Sequence, residues 1–305
     1  MAPRQISLQI MLLMVLMCVV WGGAQPAVRI ASQGMPPLLQ AGLRSVVSGA
    51  LLAAWCLLRG MAPMRFDRTI PWGLLSGGIF AGEFICQYTG LGMTNVSRGV
   101  LFIYSAPFVA AAGAHFLIPA ERLTPLRASG LLLAFLGLLL AFWRGLSAPD
   151  PRQIVGDLLC LIMGCLWGCD MLVIKLSPLR AIAPERVLFY SLTVSAPILL
   201  AASWLAGEPG IVRFDIPIAA AFGYTAVIVS FISYTVNVWL LQRYPAASLG
   251  SFIFLSPIVG VAIAGLMLGE TLPPELILAL ALIAAGIWLV NRRSLTSESR
   301  TVPAR

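Results

Sequence analysis

Charge is scarce in this sequence. Charged residues make up 10% of its 305 positions and hydrophobic ones 59%, too little polar material to cover a water-soluble globule of this length. Lysine occurs once, as Lys175, and it closes no glycine-rich phosphate loop, which argues against ATP drive from within the chain. Histidine also occurs once, as His115. The six cysteines (Cys18, Cys56, Cys86, Cys160, Cys165 and Cys169) contain no Cys-x-x-Cys pair and lie in apolar stretches, where cysteine behaves as a small hydrophobe. No metal and no cofactor is expected. Long polar stretches are missing too, apart from the tail at 292–305, which reads as disordered and cytoplasmic.

What fills the chain is apolar runs of about 18 or more residues recurring about every 30. They read as ten spans: Leu8 to Ile30, Pro37 to Leu58, Pro71 to Gly92, Ser97 to Ile118, Leu126 to Trp143, Val155 to Leu176, Val187 to Ala206, Pro217 to Leu241, Ala246 to Leu268 and Glu275 to Asn291. The expected fold is an all-α integral membrane protein with no room for a soluble enzyme or receptor domain. The first span is too long for a signal-peptide core and has a counterpart in the second half, so we expect it to be retained.

A net charge of +8 would suggest nucleic acid for a soluble protein, but its distribution points to a bilayer instead. With the N-terminus inside, only Arg29, Arg98, Arg144, Arg152 and Arg213 fall outside and Arg44 falls within a span. The other 14 of the 20 basic residues lie on the inner side. The positive-inside rule therefore places both termini in the cytoplasm.

Divided after Arg152, the chain repeats itself. Each half opens with Trp-Gly (Trp21-Gly22, Trp167-Gly168) and carries a serine shortly before a proline in its fourth span (Ser105-Ala106-Pro107, Ser256-Pro257). The loop Glu121-Arg122-Leu123-Thr124-Pro125 matches Glu270-Thr271-Leu272-Pro273-Pro274, and Gly137 corresponds to Gly286. The glutamates read as structural, since acids near helix N-termini and proline at a first helical position both favour helix restart. Five spans per half is odd, so two copies at 8–143 and 155–291 would lie inverted in the membrane.

These motifs, with the stretch from Pro37 to Arg44 and the closing Gly286-Ile287-Trp288-Leu289-Val290, resemble the EamA family of the drug/metabolite transporter superfamily over about Met11 to Arg293. The resemblance implies a ten-helix inner-membrane carrier of small metabolites, often an exporter of amino acids or related compounds, working by alternating access. It does not name a cargo.

Candidate site residues follow from polarity inside spans, where a charge costs about 2.5–3.5 kcal/mol on insertion scales and normally faces protein or water. Glu83 is near the middle of the third span and is the foremost candidate for proton coupling, with Gln87 one turn further on. Ser233 and Asn237 are their counterparts in the second half, with Tyr234 adjacent. Arg44 has the planar guanidinium suited to a substrate carboxylate, or it neutralises Glu83 or holds helix ends together. Asp170 lies well within the sixth span, whereas Asp157 and Lys175 are near its ends and can snorkel to the interface. Tyr104 and Tyr190 are placed to line a cavity, His115 to relay protons, and Pro107 and Pro257 to act as hinges in a midplane site. Trp21 and Trp167 read as packing or interfacial residues. Gly73, Gly77, Gly78, Gly82, Gly164 and Gly168 read as helix-packing positions. Partners would be a small solute, lipid and, for coupling, protons. Two other classes remain open: an intramembrane lipid-modifying enzyme using Asp170, His115 and Glu83, and a non-transporting membrane sensor.

Overall fold

The computed structural model describes residues 6–64, 67–146, 148–268 and 275–292. The described residues form helices and connecting turns, with no strand. The first half contains α1 (Leu8–Ala31), α2 (Pro37–Leu58), α3 (Ile70–Leu91), α4 (Val96–Ile103), α5 (Ala106–Leu117) and α6 (Pro125–Phe142). The second contains α7 (Pro151–Leu176), α8 (Pro184–Leu205), α9 (Ile216–Gly223), α10 (Tyr234–Leu241), α11 (Ala246–Ile253), α12 (Leu255–Leu268) and α13 (Glu275–Asn291). The Glu270 loop and nearly all of the polar tail lie outside the described residues.

Local chemistry sets the helix starts. Proline stands in the first turn of α2, α3, α5, α6, α7, α8 and α9, where its fixed φ suits the helix and its missing N–H would have had no intrahelical partner. α7 begins four residues earlier than hydropathy indicated because Asp150 and Gln153 form a reciprocal capping box.

Three spans are not continuous α-helix. The fourth is interrupted at Tyr104–Ser105 and the ninth at Phe254, each break falling just before the expected proline rather than at it. Proline lacks the N–H that would bond back across these positions, so the helix restarts there. The eighth contains a ten-residue π-helix, Tyr224–Ser233, between α9 and α10, which hydropathy did not foreshadow. Wider turns of this kind are rare and cluster at functional sites. Side chains from neighbouring helices brace it: Ser48 donates to the Ala226 carbonyl at 2.8 Å, and the Trp21 indole donates to Ser233 Oγ at 2.9 Å.

The two halves interlock. α1 lies on α12, α7 on α4 and α5, α2 on α8, and α6 on α13. Each Trp-Gly pair packs against the broken span of the opposite half. A methyl on Gly22 would fall 2.9 Å from the Ser256 carbonyl oxygen and 2.8 Å from Gly260 N; one on Gly168 would fall 2.9 Å from the Ala106 carbonyl oxygen. Gly130 and Gly286 likewise bring the α6 and α13 backbones together, each lacking a Cβ that would meet the other's carbonyl oxygen at 2.8 and 2.6 Å. Where lipid removes the hydrophobic drive between helices, such close backbone approach supplies the packing. One predicted packing glycine is an exception. Gly78 faces open space, whereas Gly73 and Gly77 meet Tyr190 and Val194 of α8.

The polarity of the molecule is that of a membrane protein. Leu58, Phe116, Trp204 and Leu205 are at least three-quarters exposed, while Ser48, Ser76, Ser195, Thr225 and Ser230 are fully buried. Among the described residues, eight helices are long and apolar enough to cross a bilayer. α13 has 17 residues. α3 has 22 but contains Ser76, Glu83, Gln87 and five glycines, which dilute its hydropathy. The protein is therefore a multi-pass membrane protein.

Candidate functional site

The first turns of α2 carry polar side chains that are buried without partners. Glu208, on the turn after α8, fixes the start of α2 by accepting the backbone N–H groups of Leu38 and Leu39 at 3.1 and 2.8 Å, while Ser203 donates to it at 2.7 Å. That carboxylate at a helix N-terminus is electrostatically favourable, and it sets the position of the next turns. Gln40 and Arg44 follow one turn apart, 1% and 4% exposed. Both polar atoms of the Gln40 amide, and Nε and Nη2 of Arg44, are buried with no hydrogen-bond partner among the described residues.

On α3, Glu83 is 4% exposed and its Oε1 also lacks a partner. The Arg44 guanidinium lies 4.3 Å from the ring centre of Phe84, the residue after Glu83, a cation–π contact. No ion pair joins Arg44 to Glu83 among the described residues, so the mutual-neutralisation reading of the sequence does not describe this arrangement. Aromatic rings continue the wall: Phe80–Phe84 at 5.0 Å, Phe84–Tyr88 at 6.0 Å and Phe80–Tyr234 at 6.1 Å.

Asp170 of α7 forms the adjoining group. Its Oδ1 accepts the Ser76 hydroxyl at 2.6 Å, and Ser76 lies 3.1 Å from the Ser191 hydroxyl of α8. Gln87 is half-buried one turn beyond Glu83.

Other predicted residues fall elsewhere or are already engaged. Tyr190 is 3% exposed, packs on Gly73 and lies 3.3 Å from the Thr69 hydroxyl at the start of α3. Ser233 is satisfied by Trp21 and by the Val229 carbonyl, while Asn237 is half-buried a turn later. Tyr104 stands at the break between α4 and α5, its ring against Trp167 and Phe254. Pro107 packs on Gly250 of α11. His115 accepts the Leu123 backbone N–H through Nδ1 at 2.9 Å, tying the loop after α5. Among the described residues no three His, Cys, Asp or Glu side chains gather as a metal site.

The ends of α7 correct one expectation. Asp157 and Lys175 do not snorkel; they are 5% and 6% exposed and ion-paired. Asp157 pairs with Arg98 of α4 and accepts the Thr94 hydroxyl at 2.7 Å. Lys175 pairs with Glu121 at 2.7 Å and donates to the carbonyls of Leu241 and Tyr244 at 3.1 and 2.7 Å. Glu121 in turn accepts the Ala246 N–H at 2.8 Å, so it caps α11, not the helix that follows it in sequence. Interior partners at both ends explain why these side chains turn inward.

Sequence reasoning missed Gln40, Ser76 and Ser191. Gln40 had a signal, its four-residue spacing from Arg44; the serines had none, because serine in an apolar helix is unremarkable until its neighbours are known.

The family model described as the EamA-like transporter family matches the chain twice, at residues 8–143 and 154–292. The chain belongs to that family. A probable amino-acid metabolite efflux pump of Salmonella typhimurium is 28% identical over 286 residues, covering 91% of this chain and 93% of the relative. A protein of the same description from Escherichia coli is 26% identical with the same coverage. An uncharacterised transporter of Bacillus subtilis is 24% identical, covering 95% of this chain and 94% of its own. A solved crystal structure superposes with a TM-score of 0.79 at 19% identity, covering 91% of this chain and 94% of that one, a likeness of fold. As an EamA-like family member with these relatives, the protein is a membrane transporter.

Proposed function

We propose that this EamA-like protein is a secondary carrier that exports small metabolites, amino acids or related compounds, by alternating access. It has ten spans, α3 and α13 supplying the two beyond the eight that hydropathy selects, in two inverted five-helix units at 8–143 and 155–291. It sits in the inner (plasma) membrane with both termini cytoplasmic.

The observation that carries this reading is reciprocal packing. Gly22 abuts the Ser256–Gly260 stretch of α12, and Gly168 abuts Ala106 and Val109 of α5. Such an exchange of equivalent elements is what a pseudo-two-fold relation between the halves produces, five spans in each half turn that relation into an inversion, and the helix breaks beside it are the features around which such carriers build midplane sites. The relatives named as amino-acid metabolite efflux pumps support the direction and cargo class. The buried, unpartnered polar atoms of Arg44, Gln40 and Glu83 support a solute site bordered by α2 and α3, with Glu83 and Asp170 the groups to bind a proton.

The test is counterflow in liposomes containing the purified protein. Saturable exchange of labelled amino acids supports the carrier, whereas lipid turnover without solute flux would replace it with an intramembrane enzyme. A C-terminal reporter active only outside the cytoplasm should be silent; strong activity would overturn the topology.

A further inference from the structure

Corresponding pieces of the two halves are packed to different extents. Pro107 and Pro257 are equivalent, so α4 and α11, the eight-residue helices that start the two broken spans, are counterparts. Every residue of α11 is buried, against only Gly99, Leu101 and Ile103 of α4. At their first positions Ala246 is 0% exposed and Val96 66%. α11 packs on α5, with Pro107 against Gly250, whereas α4 and α12, the matching pair, make no contact of that extent among the described residues. The family model matches both halves, so this inequality between copies of one unit is a difference of state. The end of the bundle at α11 is closed, and the end at α4 is looser.

A knot of charge holds the closed end. Lys175, at the end of α7, reaches Glu121 Oε1 at 2.7 Å and the carbonyls of Tyr244 and Leu241 at 2.7 and 3.1 Å. Oε2 of Glu121 accepts the Ala246 N–H at 2.8 Å. The loop after α5, the end of α7 and the turn between α10 and α11 thus meet at the first residue of α11, joining the first half to the second. Arg29 stands as far beyond Trp21 as Lys175 does beyond Trp167, yet it is exposed. In a buried ion pair the cost of desolvation offsets most of the attraction, and water admitted as the end opens takes over both ions. Such a contact can be made and broken at small net cost. We propose that Glu121 and Lys175, closed on the start of α11, are the latch of the gate at this end, which is cytoplasmic in the topology above. Its release opens this end while α4 moves into the packed environment that α11 has here, an inference that rests on the carrier reading above. α7 connects the two movements, because its Asp157 is ion-paired with Arg98 of α4.

The test is thiol labelling of the purified full chain in detergent by a charged methanethiosulfonate, which reaches cysteines from water and not through apolar packing. Ala246→Cys and Val96→Cys are made separately, and labelling is read at each position by peptide mass spectrometry, so the six native cysteines stay. With the latch intact, Val96→Cys should react at least tenfold faster than Ala246→Cys. Adding Lys175→Met together with Glu121→Gln removes the pair without leaving a lone buried charge. In that chain Ala246→Cys should react at least tenfold faster than before, and Val96→Cys at least threefold slower. Local loosening alone would speed Ala246→Cys and leave Val96→Cys unchanged or faster, so the opposed changes separate a gate from a structural brace. An unchanged rate at either position, or a rise at both, overturns the proposal. Counterflow by the wild-type chain in liposomes judges the carrier reading separately. Exchange without the opposed labelling leaves a carrier whose gate is not this pair; no exchange overturns the carrier reading and the gate with it.

Discussion

Replacing Lys175 with methionine keeps the length of the side chain and deletes its ammonium. In the wild-type protein that ammonium contacts Glu121 Oε1 at 2.7 Å and donates to the carbonyls of Tyr244 and Leu241 at 2.7 and 3.1 Å. The side chains of Lys175 and Glu121 are 5% and 10% exposed, so little water can take over. After the substitution Glu121 retains the Ala246 N–H at 2.8 Å as a donor but carries an uncompensated charge, and two carbonyls at the α10–α11 turn lose theirs. Removing one member of a buried pair typically costs about 3–5 kcal/mol, whereas removing both charges together is often close to neutral. Lys175→Met should therefore be destabilised by that amount, and Lys175→Met combined with Glu121→Gln should recover most of it. Denaturant unfolding in detergent micelles would report this through modification of Cys18, Cys56 and Cys160, free thiols that are at most 1% exposed until the bundle opens. A single variant within about 0.5 kcal/mol of wild type, the range expected of surface changes, would refute the reasoning. So would a double variant as unstable as the sum of the two singles.

Two glycine substitutions should separate packing from propensity. Gly130→Val drives a side chain onto Gly286 O at 2.8 Å and Val290 N at 2.9 Å, and overpacking of this kind costs about 1–3 kcal/mol; no loss in the same unfolding assay would contradict the α6–α13 contact. Gly78→Ala meets nothing within 4 Å and should stabilise α3 by about 0.5–1 kcal/mol; destabilisation would show that its face is covered. Trp21→Phe removes the donor to Ser233 at 2.9 Å and should cost about 1 kcal/mol, with greater hydrogen exchange at 224–233; unchanged exchange there would separate Trp21 from the π-helix.

Helix positions were legible because each apolar run has a polar or proline-bearing boundary. α2, at Pro37–Leu58, and α13, at Glu275–Asn291, agree with the sequence reading to the residue. The interruptions before Pro107 and Pro257 were legible in kind, since proline cannot complete the helix ladder. The π-helix at Tyr224–Ser233 was not, because it depends on Ser48 and Trp21 arriving from two other helices. The polar candidates divide in the same way. Glu83 and Arg44 stand out as ionisable residues in apolar runs. Yet nothing along the chain says that Arg44 lies over Phe84 rather than on Glu83, or that Asp157 and Lys175 turn inward to meet partners from distant segments.

Composition and periodicity identify the helical segments and their bilayer setting, and the motifs along the chain recur in two halves that the family model matches separately. Those properties depend on composition and on short-range periodicity, because in lipid each backbone must satisfy its own hydrogen bonds locally. Which buried charges hold helices together and which keep free atoms depends on contacts between helices. The difference between Lys175, bound by three oxygens, and Arg44, with unpartnered nitrogens, is a matter of ångströms between segments far apart in the chain, a quantity that residue spacing does not encode.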